Sequence, residues 1–239
     1  MEAAAFFEMK GCNILQKFCA LIMAAGSSSR MGGKPKQFTV LEGKSVLLRS
    51  LQAFQNCDLV DKIIVVTKKE YFEQIKQQAK SGGITKLICV AQGGSSRMDS
   101  VKNGMEYIGD SKYVLVHDCA RPLVTNKVIC DVAAAAVECG AAICSVPVKD
   151  TVKKVDGNGM VCETVDRSSL VSVQTPQGFK AELLADALNK AGDLSLYTDD
   201  ASVVEAAGHT VKVVSGDYRN IKITTDEDIA TVIGFLKEK

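Results

Sequence analysis

"FCALIMAAGSSSRMGGKPKQF", residues 18–38, runs from an uninterrupted apolar segment straight into a loop of glycines, serines, one arginine and two lysines. An apolar run bounded by small and polar residues reads as a buried strand, and a small-residue basic loop behind it reads as a place for an anion. Two familiar phosphate loops are excluded. A P-loop spaces its glycines so that backbone NH groups wrap a β-phosphate, and it ends in Gly-Lys-Ser/Thr to put a hydroxyl on Mg²⁺. Here five residues separate Gly26 from Gly32, and Lys34 is followed by Pro35. The Gly-x-Gly-x-x-Gly dinucleotide pattern is absent too. What remains is that Ala24, Ala25 and Gly26 allow close backbone approach, while Arg30 and Lys36 carry charge suited to a triphosphate. An ordinary solvated basic turn is the alternative, and the segment alone leaves the two balanced.

Outward from this stretch the same alternation repeats. "KIIVVT" (62–67), "KLICV" (86–90), "YVLVHD" (113–118) and "AAICSV" (141–146) read as further buried strands. The segments at 45–57, 70–82, 98–109 and 125–140 carry apolar residues near a helical period and mostly end at glycine. This order predicts an α/β fold with a mostly parallel central sheet and helices on both faces. Ligands in such sheets lie beyond the carboxyl ends of the strands. The pattern changes at residue 150, where "TVKKVDGNGMVCETV" places strand-like segments around Asp-Gly-Asn-Gly, a hairpin signal and a projecting arm. Beyond it, "LVSVQTPQGF" returns to the sheet, and two helices, the strand "TVKVVSG" and a capped final helix complete the chain. We expect an N-terminal extension over 1–18, with Met9 an alternative start, and a single domain over 19–239.

Composition narrows the partners. Lys plus Arg is 29 against 28 for Asp plus Glu, a balance that points to neither nucleic acid nor an acidic membrane surface. Nine cysteines without a Cys-x-x-Cys pair read as reduced thiols of a cytoplasmic protein rather than a zinc site or disulfide framework. The first residues lack signal- or transit-peptide character, and no apolar run reaches the roughly 18 residues that span a bilayer.

Two more loops follow predicted strands. In "QGGSSRMDSVKNG" (92–104), Gly94, Ser95 and Ser100 surround a helix start and offer groups for a base edge, with a plain helix cap as the simpler account. In "VHDCARPLVT" (116–125), Asp118 ends a strand, placed for a metal or a ribose hydroxyl, with Arg121 nearby in a loop braced by Pro122. The bland alternative is an internal Asp118–Arg121 ion pair. By strand alternation His117 faces away from Asp118, and we assign it packing and no chemistry.

Taken together, "ALIMAAGSSSRM", "PKQF", "GGSSRMDSV", "VHDCARP", "VKDTVKK", "TVDRSSL", "QTPQGF", "YTDDASVVEAAG" and "NIKITTDEDI" resemble, in the same order, the 2-C-methyl-D-erythritol 4-phosphate cytidylyltransferases. The resemblance runs from about residue 19 to the C-terminus and implies a Rossmann-like nucleotidyltransferase fold. It implies transfer of a cytidylyl group from CTP to a polyol phosphate in non-mevalonate isoprenoid synthesis, with Mg²⁺ or another divalent cation as cofactor. It places the catalytic residues Arg30, Lys36 and Lys222 around the triphosphate, with Lys34 a rival for the role of Lys36 because the spacing after Arg30 is one residue short. Ala24, Ala25, Gly26, Gly94, Ser95 and Ser100 are implied at CTP. Asp118, Arg121, Thr151, Arg167, Thr175 and Thr198 are implied at methylerythritol phosphate, with the metal held mainly by the triphosphate and Asp118 its protein ligand. A homodimer through the 150–170 arm is implied, sharing residues between subunits. Cys119 stands where the family usually has alanine. The rivals are a ribitol 5-phosphate cytidylyltransferase and a non-catalytic nucleotide-binding regulator.

The chemistry needs no general base. A phosphate monoester, with a second pKa of about 6, is already anionic at neutral pH. The obstacle is bringing one polyanion onto another, which calls for Arg, Lys and a divalent cation. A chain with only two histidines is suited to that task.

Overall fold

The computed structural model describes residues 16–26 and 35–238. The calls on Arg30, Lys34 and residues 1–15 lie outside the described residues. Strand β1 (Phe18–Met23) is buried at every position, as a strand covered on both faces must be. Its alternation splits the core in two. Phe18, Ala20 and Ile22 pack on one side and Cys19, Leu21 and Met23 on the other.

A tight turn, β2 (Val40–Leu41) with β3 (Lys44–Ser45), leads to helix α1 (Val46–Gln55), where the Ser45 hydroxyl accepts from Leu48 N–H at 3.1 Å. Then follow β4 (Val60–Thr67), α2 (Phe72–Ser81), β5 (Leu87–Gln92), α3 (Arg97–Met105), β6 (Tyr113–Asp118), α4 (Asn126–Cys139) and β7 (Ala141–Pro147). Every strand and helix expected to this point is present, with ends moved by at most four residues. Such slips are natural where fraying and capping, rather than burial, set the boundary. Helices α1, α2 and α4 pack against the Phe18 side of β1, and α3 packs against the other.

The seven-stranded sheet has the order β11-β7-β10-β6-β1-β4-β5, once β10 (Val171–Lys180) and β11 (Lys212–Ser215) are added. β1 pairs in parallel with both β4 and β6, with Met23 opposite Asp118. From β1 the chain moves outward through β4 and β5, then returns to the other side of β1 as β6. The strand order therefore reverses beside β1, and the carboxyl ends of β1 and β6 open the crevice where α/β sheets bind ligands. Strand β10 runs antiparallel between β6 and β7, so the sheet is mixed but mostly parallel.

The hairpin forms where the turn residues placed it. Among the described residues β8 (Val152–Val155) pairs only with β9 (Val161–Val165), and the Asp156 carboxylate accepts from Asn158 N–H and Met160 N–H at 2.9 Å each. The arm leaves Val155, Met160 and Val161 more than half exposed. Helices α5 (Ala181–Lys190) and α6 (Asp200–Ala206) cover the Cys19 side of the sheet, and α7 (Asp226–Lys237) packs through Val232 on Leu41, Val46 and Ile223.

Gly178 on β10 marks a close helix-to-sheet approach on the opposite face. A Cβ there would lie 2.9 Å from Val132 Cγ1 and 3.1 Å from Ala136 Cβ, both on α4. Overpacking of this kind costs about 1–3 kcal/mol. Gly178→Ala is therefore expected to lower the free energy of unfolding by that amount, read from the shift of the denaturant midpoint, and an unchanged midpoint would show that α4 yields freely.

Candidate active site

The carboxyl ends of four strands, β1, β4, β5 and β6, are laced together before any loop begins. Ala24 N–H donates to Val66 O at 2.7 Å, Cys119 N–H to Met23 O at 3.0 Å, and Gly93 N–H to Thr67 O at 2.8 Å. The loops after β1, β5 and β6 therefore leave the sheet side by side. They line a cleft of about 490 Å³ together with Lys36 and Lys222. Ala24, Ala25, Gly26, Gly94, Ser95, Ser100 and Asp118 all border it.

The helix-cap reading of the 92–104 loop is realised. Ser96 caps α3 by accepting from Asp99 N–H at 3.0 Å, and Asp99 returns the contact to Ser96 N–H at 2.9 Å, a reciprocal capping box. The Ser100 hydroxyl, nearly fully buried, accepts from Gly94 N–H at 3.0 Å and donates its one proton to Ser96 O at 2.9 Å. Ser100 thus shapes the loop rather than offering its proton to a base. Ser95 likewise gives its hydroxyl to Asp99. Gly94 is required by the loop itself, since a Cβ would fall 2.3 Å from Asp99 Cβ.

Asp118 is the centre of charge. Its Oδ2 lies 2.8 Å from Lys222 Nζ and 3.9 Å from Arg121 Nε, and its Oδ1 lies 3.3 Å from Arg97 Nε. Burial would raise its pKa, but Arg97, Lys222 and Arg121 outweigh it and hold the carboxyl well below the usual carboxylate range. The Asp118–Arg121 pair expected as the bland alternative is the longest of the three contacts. Arg121 instead donates through Nη1 to Asn220 O at 2.7 Å, and Asn220 Nδ2 donates to Thr175 O at 2.9 Å. Ile223 N–H donates to Ala120 O at 2.9 Å, so the segment carrying Lys222 is stitched to the loop after β6. The Lys36 ammonium reaches the same segment, 3.3 Å from both Ile223 O and Thr224 O.

A second cleft, of about 430 Å³, adjoins the first and shares Arg97, Asp118 and Lys222 with it. Arg121, Thr175 and Thr198 line it. Thr175 sits where the pairing of β10 with β7 skips from Val173 to Gln177. Its hydroxyl accepts from Asp118 N–H at 3.0 Å and lies 3.0 Å from His117 Nδ1. Because Arg121 O can only accept, His117 Nε2 at 3.2 Å carries the ring proton, and the Thr175 hydroxyl donates to Nδ1. Thr175 therefore stands behind Asp118, fixing its backbone. Thr151 and Arg167 border neither cleft; Arg167 is exposed at the foot of the arm and donates to Lys149 O.

His117 is fully buried, and desolvation pushes its imidazole down to about 4. The unfolded ring takes up its proton near 6.5, so its contribution to stability is complete above that pH and declines as the pH falls toward 4. We expect the unfolding midpoint of the native protein to drop between pH 6.5 and 4.5, and His117→Gln to show a flatter profile over that window. Equal slopes in the two proteins would assign the acid lability elsewhere. Asp118, depressed in the opposite chemical sense, loses its contribution only below the ordinary carboxylate range.

Two members of this charge network escaped the sequence reading. Arg97 donates a two-pronged contact to Asp200, Nη1 to Oδ1 at 2.8 Å and Nη2 to Oδ2 at 2.7 Å, while its Nε faces Asp118. Asp200 is entirely buried. A signal was present, because a cation in the first turn of a helix opposes the macrodipole and implies a specific anionic partner. In "TDDAS" one acid suffices for the cap, which Asp199 provides, leaving Asp200 unexplained.

A reversing α/β sheet, a small-residue loop and a cleft lined by Lys36, Lys222 and Asp118 define a nucleotidyltransferase of Rossmann-like fold. Among solved structures, 4-diphosphocytidyl-2C-methyl-D-erythritol synthase from Anaerococcus prevotii is similar with a TM-score of 0.83 at 30% identity, covering 93% of this chain and 96% of that one. The sequence model of 2-C-methyl-D-erythritol 4-phosphate cytidylyltransferase matches residues 18–238, and the chain belongs to that family. Proteins of that name from Bacillus mycoides and Bacillus cereus are 46% and 48% identical, each covering 92% of this chain, and 97% and 98% of their own lengths are matched.

Proposed function

We propose that this protein transfers the cytidylyl group of CTP to 2-C-methyl-D-erythritol 4-phosphate, releasing pyrophosphate, as a step of isoprenoid precursor synthesis. The observation that carries the reading is the pair of adjoining clefts that share Arg97, Asp118 and Lys222. One accommodates a nucleoside triphosphate and the other a polyol phosphate, with the reacting phosphates meeting at the shared residues. An acceptor phosphate oxygen forms the new bond to the α-phosphorus, and the bond from that phosphorus to the bridging oxygen breaks toward pyrophosphate.

In this reading Lys36 and Lys222, with Arg30, neutralise charge on the triphosphate, most of all where it grows on the leaving group. Ala24, Ala25, Gly26 and Gly94 present backbone groups to the nucleotide, and Asp118, Arg121 and Thr198 meet the polyol phosphate. Among the described residues no cluster of three His, Cys, Asp or Glu side chains is placed to hold a metal ion. In this reading Mg²⁺ is held chiefly by triphosphate oxygens with Asp118 as its protein carboxylate, the usual arrangement for a cation that keeps few protein ligands. Bound there, the ion would supply further neutralisation of phosphate charge. The exposed apolar arm supports a homodimer in which Thr151 and Arg167 reach the partner's acceptor cleft. No described helix is long and apolar enough to cross a membrane; we place the enzyme in the cytoplasm, its catalytic domain spanning 19–239.

The test is pyrophosphate release with purified protein and Mg²⁺. Turnover with CTP and methylerythritol phosphate is expected. Preference for ribitol 5-phosphate would transfer the reading to the rival acceptor, comparable use of UTP or ATP would defeat the cytosine assignment, and no turnover with either acceptor would leave the non-catalytic regulator.

A further inference from the structure

We propose that Arg97 is a positioning residue for the acceptor half of the site, held rigid by Asp200 so that its Nε orients the Asp118 carboxylate toward the polyol phosphate. The proposal rests on the reading above, in which Asp118 meets the acceptor.

The argument begins with what the guanidinium is doing. Both Nη atoms are committed to Asp200, at 2.8 and 2.7 Å, which leaves Nε as the donor toward Asp118 Oδ1 at 3.3 Å. A planar fork gripped at one end has little freedom at the other. Asp200 has no exposure, so it contacts no substrate directly, and its charge is matched by Arg97 alone among the ion pairs of the described residues. Asp118 is then held from two sides, by Arg97 on Oδ1 and by Lys222 on Oδ2 at 2.8 Å. Lys222 is the substrate-facing partner, with its side chain 41% exposed; Arg97 is the deeper one. When Lys222 turns to phosphate, Arg97 is what keeps Asp118 in place.

The electrostatic balance agrees. Arg97, Arg121 and Lys222 face Asp118 and Asp200, so the two carboxylates leave one net positive charge where two anionic substrates meet. Removing Asp200's charge would free the fork to compete for Asp118. Replacing Arg97 with lysine keeps the charge but leaves a point donor that cannot grip Asp200 and reach Asp118 in the same geometry.

A double-mutant cycle tests this, with Arg97→Lys, Asp118→Asn and the double variant made in the full chain. Steady-state kinetics are run on whichever of methylerythritol phosphate and ribitol 5-phosphate the native enzyme turns over. Preference for ribitol phosphate would thus overturn the acceptor assignment while the cycle still judges Arg97. We expect Arg97→Lys to lower kcat/KM for the acceptor about tenfold, with CTP affinity by equilibrium titration within about twofold of native. In the Asp118→Asn background the same change should cost little more, because Arg97 acts through that carboxylate. Effects that simply multiply, or an equal loss of CTP affinity, would overturn the proposal as a general structural role. If Arg97→Lys does not fold, Asp200→Asn takes its place in the cycle with the same expected coupling.

Discussion

Replacing Lys222 with alanine is expected to lower turnover about a hundredfold or more while the thermal unfolding midpoint barely moves. The two halves of that expectation have separate causes. Lys222 borders both clefts and is the closest cation to Asp118 among the described residues, at 2.8 Å, so in the proposed reaction it meets charge developing between the two substrates. Loss of one such preorganised donor commonly costs about 10²–10³ in rate. Its side chain is nevertheless 41% exposed, and a partly solvated ion pair contributes only about 0–1 kcal/mol to folding. Asp118 also keeps Arg97 at 3.3 Å, so the carboxylate is not stranded in the interior. Steady-state pyrophosphate release beside a thermal melt decides it. Near-native turnover in Lys222→Ala would remove this lysine from the mechanism, and a large fall in the melting midpoint would make its role structural.

The second large effect concerns the arm. Arg167→Ala and Lys36→Ala are each expected to be nearly inactive, yet mixing the two chains should restore activity. The physical motive is that Arg167 borders neither cleft of its own chain, although the family resemblance assigns it to the acceptor phosphate. An isolated two-stranded hairpin is marginally stable, and this one exposes Val155, Met160 and Val161, so a twofold partner carrying the same arm is the simplest cover. In a hybrid dimer, one site would combine an intact Lys36 from one chain with an intact Arg167 from the other. Random exchange makes half the dimers hybrid, each with one working site, so recovery should approach about a quarter of native activity. Sites built within single chains would recover nothing despite demonstrated exchange, and a monomeric mass at assay concentration would remove the shared site altogether.

Much of the scaffold was legible because burial leaves a periodic mark. The six consecutive buried residues of β1 and of β6 are uninterrupted apolar runs until His117 and Asp118, and the turn in "VDGNG" announces its own geometry through residues that tolerate it. The loops that form the clefts could be named from their place after strands. Their internal wiring could not, because whether Ser100 faces a base or holds Gly94 depends on hydroxyl directions that no spacing encodes.

Local order along the chain determined the alternation of strand and helix, the loops that carry phosphate-directed residues, the arm, and the absence of a general base among the expected groups. These follow from interactions within a few residues: side-chain period, capping and turn preference. The tertiary structure alone decided which distant groups share an atom's reach. Arg97 and Asp200, 103 residues apart, meet because α3 and α6 cover the same face of the sheet, and Asp118 collects Arg97, Arg121 and Lys222 because strand order reverses beside β1. Coulomb energy depends on separation in space and on burial, and neither is written in the sequence distance between two charges.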